Sequence, residues 1–183
     1  VADRAIRAGV RLIYLGTTAS FARDGEWIRE EEPIPGKLLS SYSFTKLLGE
    51  QAVKELYAGK GGLVIVRPVF GYGGRLDYAS VLSHIIRGTP GHEAYLSFEK
   101  KKSLTWMEDI VRGIATIMEK GNDGEYNLGS GQYLRYQKVV EALSRIGYSD
   151  RGIIWHPHQD YLGDHLVRVE RVIRLGWYPE ITL

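Results

Sequence analysis

The chain of 183 residues contains no cysteine, so no disulfide staples it and no thiolate serves as nucleophile or metal ligand. No run of about 18 apolar residues is present, as a membrane-spanning helix requires. Nor does a signal-peptide pattern open the chain. The formal charge of +2, from 24 basic and 22 acidic residues, leaves no stripe of one sign for nucleic acid. These absences fit a cytoplasmic protein that binds neither nucleic acid nor membrane. One further absence matters more. No strand is followed by a G-x-G-x-x-G turn opening a helix, the device that holds a dinucleotide pyrophosphate. Gly59-Lys60-Gly61-Gly62 precedes a strand instead, and Gly129-Ser130-Gly131 lacks a third glycine.

What is present is an ordinary globular composition, 44% apolar and 25% charged, with chemistry concentrated near residue 42. Tyr42-Ser43-Phe44-Thr45-Lys46 places a tyrosine and a lysine four residues apart, on one face of a helix. A phenol of pKa about 10 is a poor base at neutral pH, and a nearby ammonium is one way to favour its ionised form. Upstream, Arg11-Leu12-Ile13-Tyr14-Leu15 reads as a buried strand ending in the hydroxyls of Thr17 and Thr18. Downstream, Leu63-Val64-Ile65-Val66-Arg67 reads as a second strand. Strand, long loop with Pro33 and Pro35, helix and strand make a βαβ unit with parallel strands. Functional groups of such sheets gather beyond the carboxyl ends of the strands, where Thr18 and Pro68 fall.

The order of these segments resembles the NAD-dependent epimerase/dehydratase branch of the extended short-chain dehydrogenase/reductase superfamily. Tyr14 to Ala19 resembles its strand with a serine/threonine end, and Tyr42 to Glu50 its catalytic helix. Val66-Arg67-Pro68 with Gly71-Tyr72-Gly73, Trp106 to Ile110, Glu125 to Gly131 and Leu175 to Pro179 follow in the family's order.

The resemblance implies an α/β fold: a partial Rossmann-like doubly wound parallel sheet with a smaller α/β substrate-binding lobe. Residues 1–74 would be the later half of the NAD(P)-binding domain with the catalytic helix. Residues 75–183 would be mainly the substrate lobe, with a return to the sheet near 103–120. The chain reads as a piece truncated at both ends, lacking the Gly-rich half.

The resemblance further implies that Tyr42, Lys46 and Thr18 are catalytic, and that Tyr42, Lys46, Thr17, Pro68 and Val69 face the cofactor, NAD or else NADP. Thr18, Phe70 and Lys102 would face the substrate, a nucleotide sugar oxidised transiently to a keto-sugar and returned as an epimer. Two copies would pair through the helix carrying Tyr42 and Lys46. Two departures bear on this. Dehydratases of the family carry Asp-Glu after the catalytic threonine, where Ala19-Ser20 stand here, so epimerisation or reduction is favoured. Nucleotide-sugar members have an asparagine where Phe70 stands, which keeps open an NADP-dependent reductase of a small carbonyl compound or keto-sugar. A non-catalytic nucleotide-binding relative is the third alternative.

Other patterns are plainer. Lys100-Lys101-Lys102 reads as a solvated loop, unless Lys102 meets the substrate diphosphate as the resemblance implies. His156, His158, Asp160, Asp164 and His165 match no zinc spacing, and no metal is expected. Amphipathic helices are expected over Met107 to Glu119, Arg135 to Ile146 and Val167 to Leu175, their Met and aromatic residues in the core.

Overall fold

The computed structural model describes residues 1–21, 25–31, 40–73, 94–96, 100–147, 153–155 and 164–181. The chain opens with α1 (Ala2–Arg7), followed by β1 (Leu12–Leu15) and a 3-10 turn (Thr18–Phe21). After β2 (Trp27–Ile28) comes the long helix α2 (Ser41–Tyr57). Then follow β3 (Leu63–Pro68) and β4 (Phe70–Tyr72). β5 (Ala94–Leu96), β6 (Lys101–Lys102) and β7 (Leu104–Trp106) lead into α3 (Met107–Lys120) and β8 (Gly124–Leu128). The remainder is β9 (Leu134–Arg135), α4 (Tyr136–Arg145), β10 (Ile153–Trp155), β11 (Leu166–Val167) and α5 (Glu170–Ile173).

The main sheet is parallel, in the order β1-β3-β8. Its middle strand β3 runs Val64, Ile65, Val66, each at most 1% exposed, the unbroken apolar run of a strand covered on both faces. Parallel neighbours need crossovers; α2 lies between β1 and β3 in the chain, and α3 between β3 and β8. Helix α3 approaches β8 closely at Gly113, where a Cβ would strike Leu128. Around this sheet one core gathers Val64, Val66, Ile110, Ile117, Leu128 and Trp177. A second, smaller core of Tyr72, Leu104, Tyr136, Val139 and Val140 lies about the parallel pair β4-β7 and α4. Short pairs β2-β11, β5-β10 and β6-β9 complete the topology.

Two of the recurring segments prove to be one structural joint. The carboxylate of Asp109 in α3 accepts from the backbone N–H of Glu180 at 3.2 Å and of Ile181 at 3.1 Å, while its carbonyl accepts from Trp177 Nε1 at 3.1 Å. Burial presses its carboxyl pKa up, but Arg112 and these amides outweigh it and hold the group below its ordinary range.

Two expectations are corrected here. The helix expected over Val167 to Leu175 is confined to Glu170–Ile173, because Leu166 and Val167 pair instead with Trp27 and Ile28 in a parallel ladder. In α3 the buried stripe is Ile110, Gly113 and Ile117. Val111 and Met118, which fall seven residues apart on its flank, are 58% and 55% exposed, and Met107 is 43% exposed.

Candidate active site

Helix α2 is stitched to the end of β1. Ser40 caps α2, its hydroxyl accepting from Ser43 N at 3.1 Å, as an N-cap serine should. From the 3-10 turn, Ser20 Oγ donates to the Ser43 carbonyl at 3.0 Å. Tyr14 in β1 donates its hydroxyl to the Lys46 carbonyl at 3.1 Å, and Gly49 leaves the space this phenol occupies, since a Cβ there would strike it. Lys46 Nζ in turn donates to the Leu15 carbonyl at 2.6 Å, so its ammonium stands at the carboxyl end of β1. Tyr42, one turn earlier, is 58% exposed. The Tyr14 phenol is pushed above its ordinary pKa, first by burial and then by the charges of Glu50 and Tyr42.

Thr18 joins this group from the sheet side. It is buried, and its Oγ1 donates to the Pro68 carbonyl at 3.1 Å, tying the ends of β1 and β3 together. Thr17 Oγ1 accepts from Ala19 N at 3.2 Å, and Val69 N donates to the Leu128 carbonyl at 2.9 Å. Thr17, Thr18, Lys46, Pro68 and Val69 thus meet at the carboxyl ends of the parallel strands, where Tyr42 is presented from α2.

A second wall comes from the smaller core. Lys102 is 1% exposed, which overturns its reading as part of a solvated loop: β6 pairs with β9 and draws the side chain in, to 6.0 Å from the Tyr136 ring. His165, bridged to Lys102 in a parallel β-bridge, is equally buried, and its ring meets that of Phe70 at 5.1 Å. Asp164 is engaged nearby, accepting from Lys101 N at 2.8 Å. His156, His158 and Asp160 lie outside the described residues. Among the described residues no cluster of three or more His, Cys, Asp or Glu side chains is placed to hold a metal ion.

Beneath the site lies a charge network. Glu50 of α2 and Arg67 of β3, each 1% exposed, form a two-pronged pair with Nε–Oε2 at 3.0 Å and Nη2–Oε1 at 2.5 Å. Arg67 Nη1 also donates to the Glu30 carbonyl at 2.7 Å, and the guanidinium stacks 4.3 Å from the Phe21 ring centroid. Burial presses the Glu50 pKa up, yet the Arg67 hydrogen bonds and charge, aided by Lys54, outweigh it and hold it below the ordinary carboxylate range. The sequence signal was available: an arginine ending a fully apolar strand needs a buried partner.

Burial, reinforced by the Lys102 charge and only partly opposed by the Thr18 backbone, pushes the His165 pKa from 6.5 down to about 4. Between those values the unfolded chain binds a proton that the folded chain refuses, so stability falls as pH drops from 6.5 towards 4. The loss expected from this one group is about 3 kcal/mol. Urea unfolding between pH 7 and pH 4.5 checks it, because His165→Leu should remove that slope; parallel curves for parent and variant would show that the ring is not held neutral.

A family profile described as the NAD dependent epimerase/dehydratase family matches residues 1–129. Among solved structures, the chain is similar to a dTDP-glucose 4,6-dehydratase from Streptomyces venezuelae with NAD bound. The TM-score is 0.81 at 21% identity, over 100% of this chain and 59% of that one. It is similar also to UDP-glucose 4-epimerases from Thermotoga maritima (TM-score 0.80, 23% identity, 99% of this chain and 62% of that one) and Thermus thermophilus (TM-score 0.76, 19% identity, 100% and 63%). The chain therefore spans about three-fifths of the length of these neighbours, and the likeness establishes the Rossmann-like fold.

Proposed function

Because the chain belongs to the NAD-dependent epimerase/dehydratase family, we propose that it carries the catalytic helix and substrate wall of an NAD-dependent enzyme that epimerises a nucleotide sugar through a transient keto-sugar. The observation that carries this reading is the fastening of α2 to the end of β1. Lys46 Nζ stands 2.6 Å from the Leu15 carbonyl, with Tyr42 one turn before it and Thr18 tied to Pro68 alongside.

The residues present fit the nicotinamide end of the cofactor: an ammonium for ribose hydroxyls in Lys46, and the strand end of Thr17, Pro68 and Val69 for the ring. When bound, NAD accepts hydride from a sugar carbon and returns it. Tyr42 removes the proton from the hydroxyl on that carbon and later restores it, a general-base role open to a side chain that is 58% exposed. Thr18 holds the sugar oxygen, turning its hydroxyl from the Pro68 carbonyl or accepting through a lone pair.

Positions 19 and 20 support epimerisation over dehydration. Alanine brings no acid, and the Ser20 hydroxyl is buried and engaged with Ser43. The apolar ring of Phe70 favours one second reading, an NADP-dependent reductase of a small carbonyl compound, in which that wall repels rather than binds a sugar. The exposed Phe44 and Leu48 of α2 support pairing of two copies through this helix.

The test is turnover by the protein carrying this chain. Interconversion of UDP- or dTDP-hexose C4 epimers with catalytic NAD and no net NADH is expected. Oxidation of NADPH by carbonyl compounds, with nucleotide sugars inert, would favour the reductase instead. Lys46→Met should also weaken NAD binding by about tenfold, as the loss of hydrogen bonds to one charged group implies. Equilibrium titration of the variant measures it, and unchanged affinity would remove Lys46 from the cofactor site.

A further inference from the structure

His165 is a buried side chain that the mechanism above leaves unused. Its backbone is fastened, with N donating to the Lys101 carbonyl at 2.8 Å and the residue bridged to Lys102. One face of its surroundings is the Phe70 ring, which offers no hydrogen bond. The Thr18 backbone carbonyl lies near enough to favour a proton on the ring but outside hydrogen-bonding geometry, because neither Nδ1 nor Nε2 has a hydrogen-bond partner. A buried polar atom left unbonded is unfavourable in the folded state. Two on one buried ring, beside Thr18 and Lys102, describe a group prepared for something that arrives.

We propose that His165 is a substrate-positioning residue whose imidazole hydrogen-bonds a hexose hydroxyl at the junction of Thr18, Phe70 and Lys102, an inference that rests on the nucleotide-sugar reading above. The chemistry selects a hydroxyl. Lys102 opposes protonation of the ring, so the imidazole offers one donor and one acceptor on opposite edges, and a hydroxyl, which both accepts and donates, can meet either of them. A phosphate oxygen only accepts and can meet only the ring N–H. The site is preorganised, which is the condition under which a single buried hydrogen bond contributes to discrimination between sugars.

The experiment measures dissociation constants of UDP-glucose, dTDP-glucose, UDP and dTDP by calorimetry, with NAD present, for the parent, His165→Leu and His165→Gln. Leucine should weaken binding of the nucleotide sugar that the parent prefers by about tenfold and leave UDP and dTDP within twofold. Glutamine, which restores a donor and an acceptor, should recover most of the loss. Thermal midpoints should not fall for leucine, since it replaces an unbonded polar ring by an apolar group. As a measurement independent of any variant, the imidazole 15N shifts of the parent should move on adding the sugar nucleotide and not on adding UDP. Unchanged sugar-nucleotide affinity in His165→Leu overturns the proposal while the nucleotide-sugar reading stands. An equal loss for UDP overturns it too, by placing the contact on the nucleotide. A parent that binds neither sugar nucleotide overturns the nucleotide-sugar reading, and this inference with it.

Discussion

Glu50→Leu is expected to destabilise the protein by about 3–5 kcal/mol at neutral pH, the range for removing one partner of a buried ion pair. The reason is what it leaves behind. The Arg67 guanidinium, 1% exposed, cannot shed its proton, and the Glu30 carbonyl and the Phe21 ring do not neutralise it. Arg67→Met should cost less, because Glu50 keeps Lys54 Nζ at 3.0 Å and can take up a proton. The order is therefore Glu50→Leu worse than Arg67→Met, and the double variant should recover much of the loss, since two apolar side chains of similar volume leave no stranded charge. Guanidinium-chloride unfolding of the three variants decides it. A double variant as unstable as Glu50→Leu would mean that packing, and not the stranded charge, sets the loss. Lowering the pH should weaken the parent's pair as well: with the folded Glu50 pKa depressed, its stabilising contribution is present above the unfolded value and lost as pH falls through the folded one.

This network matters to the site because it fixes α2 against β3. Glu50 lies one turn beyond Lys46, and Arg67 directly precedes Pro68, so the same pair that holds helix to sheet sets the distance between the ammonium and the strand end. Gly16 takes part: a Cβ there would lie 2.9 Å from Glu50 Oε2, so the backbone leading to Thr17 and Thr18 passes over the carboxylate only without a side chain. Proton-transfer groups need placement to a fraction of an ångström, and a buried, two-pronged pair supplies rigidity that an exposed one cannot.

How much of this was legible depended on whether the determining contacts were local. β1, α2, β3 and α3 follow from apolar runs and helical spacing within single segments, and the Tyr42–Lys46 face follows from the i, i+4 rule. The burial of Lys102 does not. Three consecutive lysines carry no local sign that the third is drawn inward, because that follows from pairing with β9 more than 30 residues later. His165 is harder still: its neighbours Thr18, Phe70 and Lys102 come from three distant segments, and its own stretch suggested only a loose scatter of histidines and aspartates. Val167 failed as a helix residue for the same reason, since a strand partner at Ile28 outcompeted local periodicity. The joint between Asp109 and the Trp177 segment was visible as two recurring patterns, but only the fold shows that each exists for the other.

Tyr42→Phe is expected to lower turnover by about 10²–10⁴, the contribution typical of a positioned general acid or base, while leaving the fold and NAD affinity nearly unchanged. The substitution removes one oxygen from a side chain 58% exposed, whose hydroxyl holds no other element among the described residues, so the stability change should stay within about 0.5 kcal/mol. That separates it from Lys46→Met, which on the proposed function touches both proton transfer and the cofactor and also loses the bond to the Leu15 carbonyl. The comparison is made in the protein carrying this chain, by steady-state epimerisation of the sugar nucleotide the parent accepts, together with single-turnover measurement of the hydride step. Phenylalanine retains the ring and its packing, so a large fall in the single-turnover rate with an unaltered NAD dissociation constant isolates the oxygen. A rate within a fewfold of the parent would remove Tyr42 from the chemistry. It would leave the exposed phenol as a surface group of α2, and the base would then have to be sought among the other groups at the ends of β1 and β3.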